Sequence, residues 1–320
     1  MKNCIVIYNP NSGHVFKTKY LKEYKKILTK YDYNPKFIGT EYAGHAKEIV
    51  SHLDNHIDLV ISMGGDGTFN EIITGNLQRK NPLVLAHIPV GTTNDVGVMF
   101  GYTNDIMKNL KLLLTGEVMG MDIGNINGRP FVYVAGFGKF MHIPYQTPRK
   151  LKKKYGHLAY LIEGTKDFFA PTKLHKITYK VNGIEKTGYY SFMLISNANR
   201  IAGINNFYRN VKLDDDAFEV VFCNFKRRID IIKTFTLLFT MDAAKVSGIE
   251  FYKTNHIEVK FYDYPNKAWC VDGEKLDRAV LKYDISNIRN VKIMMPSKNI
   301  DKNFIHNKKD ALKWTPFRTL

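Results

Sequence analysis

Hydrophobic and polar positions follow two rhythms over the first 120 residues. Short apolar runs, "CIVIY" (4–8), "PKFIGT" (35–40), "DLVISM" (58–63) and "PLVLAHI" (82–88), have the length and composition of buried strands. Between them, "TKYLKEYKKILTKY" (18–31) places Tyr20, Leu21, Tyr24, Ile27, Leu28 and Tyr31 on one helical face. "HAKEIVSHLDN" (45–55), residues 69–79 and "DIMKNLKLLLTG" (105–116) predict further helices, the last stopped at Gly116. Strands alternating with helices predict a parallel, doubly wound sheet.

After about residue 118 the period changes to that of strands. "MGMDIGNINGRPFVYVAGFG" (119–138) reads as a hairpin around Asn127-Gly128, a dipeptide suited to a type I′ turn. "HKITYKVNGIEKTGYYSFMLIS" (175–196) repeats the device at Asn182-Gly183. "FEVVFCNF" (218–225), "HIEVKFYDY" (256–264), "KAWCVDGE" (267–274) and "AVLKYDI" (279–285) add strands, with helical interruptions at 157–169 and 228–239. The expected fold is therefore α/β plus β: a doubly wound α/β domain over 1–120 and a mainly antiparallel β-sandwich domain over 121–287. "NVKIMMP" (290–296) leaves a return to the first domain within 288–300 open, and a polar tail fills 301–320.

Size and charge narrow the function. The 320 residues suffice for a full core, and 44% apolar content is ordinary for a globular protein. Lys and Arg number 47 against 30 acids, a net charge of +17, which favours anionic partners. Cys4, Cys223 and Cys270 stand far apart in apolar contexts, which argues against a disulfide framework or a zinc site and for free buried thiols in a reducing compartment. No apolar run nears the roughly 18 residues of a membrane span. The expected location is cytoplasmic, with peripheral contact at the inner membrane face. The basic run "RKLKKK" (149–154), next to apolar "HLAYLIEG", is a candidate for docking on anionic lipid. His52 and His56 are four apart but lack the Glu of H-E-x-x-H, and read as a surface helix.

Three small-residue loops follow three strands of the first half: "NPNSG" (9–13), "GGDGT" (64–68) and "PVGTTND" (89–95). In an open parallel sheet, ligands bind beyond the carboxyl ends of the strands. Exposed backbone N–H groups and helix N-termini there make an anion site. "NPNSG" alone is a common turn; the three loops on one edge carry the signal. Asp66 is the odd element, because a carboxylate among glycines repels phosphate unless a cation lies between. No G-x-x-x-x-G-K-[ST] is present, G-x-G-x-x-G fails at Asn70, and the protein-kinase signatures are absent.

"NPNSG", "GGDGTFNE" and "PVGTTND", in this order and spacing, resemble the diacylglycerol kinase catalytic-domain family of soluble bacterial lipid kinases, related to sphingosine and ceramide kinases. The resemblance implies an NAD-kinase-like α/β domain, ATP in the cleft between two domains, assisting Mg²⁺, and a phosphorylated lipid such as phosphatidic acid. It places Asn9, Ser12, Gly13, Gly65, Asp66, Gly67, Thr68, Glu71, Gly91, Thr92 and Asn94 at the nucleotide, with Asp66 and Asp95 as catalytic acids. "VDGEKL" resembles the family's D-G-E segment and implies Glu274 as the base for the lipid hydroxyl. "KLDDDAFEV" resembles its L-D-D-G segment and implies a structural Mg²⁺ at Asp215 and Asp214, joined through water to Asp122. Asp216 stands where the family has Gly.

Phosphoryl transfer asks for a phosphate cradle, charge neutralisation and an aligned base. Mg²⁺ beside Asp66 and Asp95 would meet the second need. Lys17 and Lys19 could reach phosphates or face solvent. The partner implied is a lipid such as diacylglycerol at an anionic membrane surface; a homodimer is left open, and no nucleic-acid motif is evident. Three rivals stand beside this reading. An NAD kinase shares "GGDGT" but departs at "NPNSG" and "GTTND". The others are a basic, non-catalytic lipid or nucleic-acid binder, and a lipid-binding relative that has lost catalysis, against which Asp66, Asp95 and Glu274 speak.

Overall fold

The computed structural model describes residues 1–12, 20–91, 94–143, 164–198, 200–201, 204–205, 208, 211–242, 245–265, 267–276 and 279–305. The chain opens with β1 (Lys2–Tyr8), α1 (Leu21–Lys30), β2 (Tyr33–Gly39), α2 (His45–Ser51), β3 (Leu59–Gly64), α3 (Asp66–Leu77), β4 (Leu85–Pro89), α4 (Asp95–Met99) and α5 (Ile106–Leu114). β2, β1, β3 and β4 pair in that order, all parallel. Every residue of β3 and β4 is buried, as expected of strands covered on both faces. α1 turns Tyr24 and Leu28 inward, two of the six residues on the apolar stripe. Asp105 caps α5 by accepting from the Lys108 N–H at 3.0 Å.

The rest is mostly strand: β5 (Glu117–Ile126), β6 (Arg129–Phe131), β7 (Val134–Gly138), β8 (His175–Val181), β9 (Ile184–Tyr190), β10 (Phe192–Ser196), the short pair β11 (Arg200–Ile201) and β12 (Ile204–Asn205), β13 (Phe218–Cys223), α6 (Arg228–Thr240), β14 (Ile249–Thr254), β15 (His256–Phe261), β16 (Cys270–Val271), β17 (Glu274–Lys275) and β18 (Lys282–Met295). Asn127-Gly128 and Asn182-Gly183 both take positive φ and close the β5–β6 and β8–β9 hairpins.

Two sheets result. The ten-stranded one continues past β4 through β18, β15, β8 and β9, with β5 and β6 alongside; the six-stranded one runs β14-β13-β10-β7-β16-β17. Between them lies a core that includes Phe137, Tyr179, Phe222, Phe261 and Trp269. β10 shows the layering: Met193 and Ile195 enter this core, while Phe192 and Leu194 enter the larger one on the other face. Each such side chain contributes about 1.5–3 kcal/mol on burial.

β18 joins the two halves of the molecule. Residues 282–286 pair antiparallel with β15, whereas Ile293 and Met294 pair parallel with Leu85 and Ala86 of β4. The sequence suggests two separate strands here, at 279–285 and 290–296. They form one 14-residue strand, because β5 pairs with both halves across a bulge between Ile288 and Val291. Two other elements differ from expectation. α3 begins at Asp66, within the glycine run, and not at 69. The short helix α4 follows directly on the third glycine loop. Among the described residues, no helix is long and apolar enough to cross a membrane. The basic run 149–154, Lys17, Lys19 and most of the polar tail lie outside the described residues.

Candidate functional site

β1, β3 and β4 are neighbours with Tyr8 opposite Met63 and Gly64 opposite Pro89, so the loops after them share one edge. In the first loop the Asn9 N–H donates to Met63 O at 3.2 Å, tying it to β3. The Asn9 side chain accepts from the Asn11 N–H at 2.9 Å, and the Ser12 N–H donates to Asn9 O at 3.1 Å, a compact Asx-type turn. Gly13 and Thr92 lie outside the described residues.

The glycines of the second loop each yield their missing Cβ to a different neighbour. A Cβ on Gly64 would lie 2.5 Å from Thr68 Cβ; one on Gly67 would lie 3.0 Å from Glu274 Oε1. Gly65 faces the third loop, where a Cβ on Gly91 would lie 2.7 Å from Gly65 Cα. Two backbones thus meet with no side chain between them. Asn94, in the left-handed region at φ 53°, closes the third loop by donating from Nδ2 to Gly91 O at 3.0 Å.

The carboxylates of these loops turn inward. Asp66 accepts from the Asp95 N–H at 3.0 Å and the Val96 N–H at 3.3 Å, so it caps α4 from another segment. Burial, with the charge of Asp95 next in weight, pushes its pKa up to about 7. His87 Nε2 lies 3.9 Å from Asp66 Oδ1, and burial pushes that imidazole down to about 3, so it is neutral. Glu71 accepts from the Gly44 N–H at 2.9 Å and the Ala46 N–H at 3.3 Å at the start of α2, and burial raises its pKa. Thr68 packs back on Gly64. Asp66 and Glu71, expected at the ligand, thus hold adjoining helices in place, and Asp95 is buried at the first position of α4.

Glu274 reaches this edge from the other domain. Asp272 and Gly273 take φ 48° and 86° and form the tight turn of the β16–β17 hairpin. Asp272 accepts from the N–H groups of Val132, Tyr133 and Val134 at 2.6, 3.1 and 3.0 Å. The Asn70 amide of α3 donates to Asp272 at 2.8 Å and to Pro130 O at 3.0 Å. The hairpin is thereby fastened to α3, which sets Glu274 over Gly67, with Arg129 donating to Glu274 Oε2 at 2.7 Å. Sequence reading passes over Asp272, Asn70 and Arg129. The Asp-Gly turn signal marks the first; the other two carry no local signal.

Among the described residues, the carboxylates expected at a structural metal do not form a close three-ligand cluster, although Asp122 reaches the acidic turn. Asp122 accepts from the Asp216 N–H at 2.7 Å and the Asn290 N–H at 3.4 Å. Asp214 accepts from the Ile305 N–H at 2.8 Å. Asp215 pairs with the Lys253 ammonium, which also lies 3.7 Å from Glu219 Oε1. Asp216 takes the turn conformation of the glycine it stands for, at φ 55°, and pairs with Arg289 at 3.3 Å. Each of these residues has a partner within the protein, yet Asp215 Oδ1 is buried with no hydrogen-bond partner, an oxygen of the expected metal residues that an ion could use. Among the described residues, three potential ligands converge at His256, Glu258 and Asp284 instead, all exposed on β15 and β18.

Comparison with known proteins identifies the family. The model of the diacylglycerol kinase catalytic domain family matches residues 3–126. A protein named diacylglycerol kinase from Staphylococcus saprophyticus is 30% identical over 274 residues, 85% of this chain and 89% of its own. One of the same name from Bacillus subtilis is 27% identical over 304 residues, 94% of this chain and 99% of its own. A crystal structure described as a diacylglycerol kinase from Bacillus anthracis superposes with a TM-score of 0.77 at 20% identity, covering 93% of this chain and 99% of that one; it speaks to the fold.

Proposed function

Since this chain belongs to the diacylglycerol kinase catalytic-domain family, we propose that it transfers the γ-phosphoryl group of ATP to the hydroxyl of diacylglycerol, giving phosphatidic acid. It is a lipid kinase of that family, with an alcohol group as acceptor. The proposal concerns the particular donor, the particular acceptor and the residues that serve them.

The single observation that carries the reading is the approach of Glu274 Oε1 to Gly67. A carboxylate from the β-rich domain stands over the glycine-lined first turn of α3, a helix of 12 residues. That turn and the bare Gly65–Gly91 contact offer backbone N–H groups and room to a triphosphate. A hydroxyl placed between Glu274 and the γ-phosphorus attacks; Oε1 takes its proton as the new O–P bond forms and the bond to ADP breaks. Mg²⁺ arriving with the nucleotide would offset the phosphate charge beside Asp66 and Asp95. Asp66, Glu71 and Asp272 hold the helices and hairpin that fix this geometry. The acceptor lies in an anionic membrane surface, which suits a chain of net charge +17.

The test is ATP-dependent phosphorylation of diacylglycerol in mixed micelles, with Glu274→Gln in parallel. Removing a general base costs about 10²–10⁴-fold in kcat, and that loss is expected. Equal turnover by the variant would remove Glu274 from this role. Product from NAD and none from any lipid would replace the acceptor altogether.

A further inference from the structure

Arg129 and Glu274 hold equivalent places in two hairpins. Each is the first residue after a tight turn, Asn127-Gly128 for one and Asp272-Gly273 for the other. Both turns are fixed from outside. Asn127 donates from Nδ2 to Lys282 O at 3.1 Å and accepts from the Asp284 N–H at 2.8 Å. Asp272 binds the backbone just beyond Arg129, at Val132, Tyr133 and Val134. The chain that carries the guanidinium and the chain that carries the carboxylate are therefore fastened to each other before the side chains meet.

The two oxygens of Glu274 then have different surroundings. Oε2 accepts from Arg129 at 2.7 Å; Oε1 is the atom nearest Gly67. Stability is a poor reason for this ion pair, because its side chains are 36% and 52% exposed and such pairs contribute about 0–1 kcal/mol. Charge is a better one. The edge gathers Asp66, Glu71, Asp95, Asp272 and Glu274, and the Arg129 guanidinium is the side-chain cation hydrogen-bonded there to the carboxylate nearest the cradle.

We propose that Arg129 is a positioning residue for phosphoryl transfer: it holds Glu274 by Oε2 so that Oε1 faces the acceptor hydroxyl. This rests on the reading of Glu274 as the base. Arg129 acts through Glu274, so its loss has no further effect once Glu274 is gone.

Arg129→Met, Arg129→Lys, Glu274→Gln and the Arg129→Met/Glu274→Gln double variant are compared in the micelle assay, with thermal midpoints measured for each. A misplaced catalytic group costs on the order of 10²-fold. Arg129→Met is expected to lose kcat by about that factor, with KM for ATP and the thermal midpoint unchanged. Lys recovers part of the loss, since it restores one charged donor without the planar fork. The double variant is expected to be no slower than Glu274→Gln alone. Wild-type kcat in Arg129→Met, a raised KM for ATP at constant kcat, or losses that multiply in the double variant would overturn the assignment. Full activity of Glu274→Gln would instead overturn the reading of the base, so the two failures are separable.

Discussion

The glycine-lined edge and the acidic turn at 214–216 use the same residue type to opposite ends. At the edge, Asp66 is answered by the backbone N–H groups of a neighbouring helix, and Glu71 likewise. These bonds satisfy the oxygens and fix the loops, yet supply no full positive charge. At the acidic turn, Asp215 and Asp216 meet a Lys ammonium and an Arg guanidinium. The first arrangement leaves a site still able to welcome a cation-bearing ligand, while the second already sets cations of the protein's own beside two of its carboxylates. Carboxylate content alone does not locate a metal or nucleotide; what each carboxylate already bonds to does.

The largest expected effect breaks the edge at its fastening. Asp272→Ala strips the acceptor from three backbone N–H groups and the Asn70 amide. Each buried donor left unmatched costs about 1–3 kcal/mol. A loss on the order of 4 kcal/mol in urea unfolding is expected, with Asp272→Asn milder because one carbonyl remains. A change below about 1 kcal/mol would mean that the hairpin is held by something else.

Asp66 sharpens the comparison through pH. Its folded-state pKa, about 7, lies above its ordinary value of 3.8, mainly through burial. The folded chain then binds a proton that the unfolded chain releases between those values. The stability due to this group is full below about pH 4 and is lost as pH rises towards 7. Its share of the slope reaches at most about 1.4 kcal/mol per pH unit. Asp66→Asn cannot ionise and keeps one carbonyl acceptor for α4. Urea titrations from pH 4 to 7 should show a shallower decline for the variant. An unchanged slope would place the raised pKa elsewhere.

Much of the architecture was legible because its signals are local. The apolar runs and the Asn-Gly pairs predict β1 to β4 and two hairpins within a few residues, since strand burial and type I′ turns depend on adjacent side chains. The start of α3 was not legible. "GGDGT" looks like a loop, and of the contacts at its helical start, Glu274 over Gly67 comes from more than 200 residues away. β18 was split in two for the same reason: the mostly polar stretch Ser286 to Asn290 interrupts the pattern, and only pairing with β5 on both sides of the bulge shows one strand. At the site, the resemblance of "VDGEKL" to the family's D-G-E segment singled out Glu274 but said nothing of which atoms Asp66 and Glu71 bond. Such partners are set by tertiary contact, as is the Arg129–Glu274 pair.

The smallest expected effect tests the acidic turn. If Lys253 and Arg289 already neutralise it, a chelator has no structural ion to remove there, and the thermal midpoint of the wild-type chain should be the same in EDTA and in Mg²⁺. Lys253→Met leaves Asp215 and buried Glu219 facing each other without the ammonium. The ammonium is itself partly exposed, so solvent screens the pair and the loss should be about 1–2 kcal/mol. A hard, hydrated divalent ion favours just such a vacated carboxylate pair. The variant, unlike the parent, should therefore regain part of its midpoint when Mg²⁺ is added. A wild-type midpoint that falls in EDTA would show that the internal cations do not suffice, and that the turn differs from the glycine edge less than its contacts indicate.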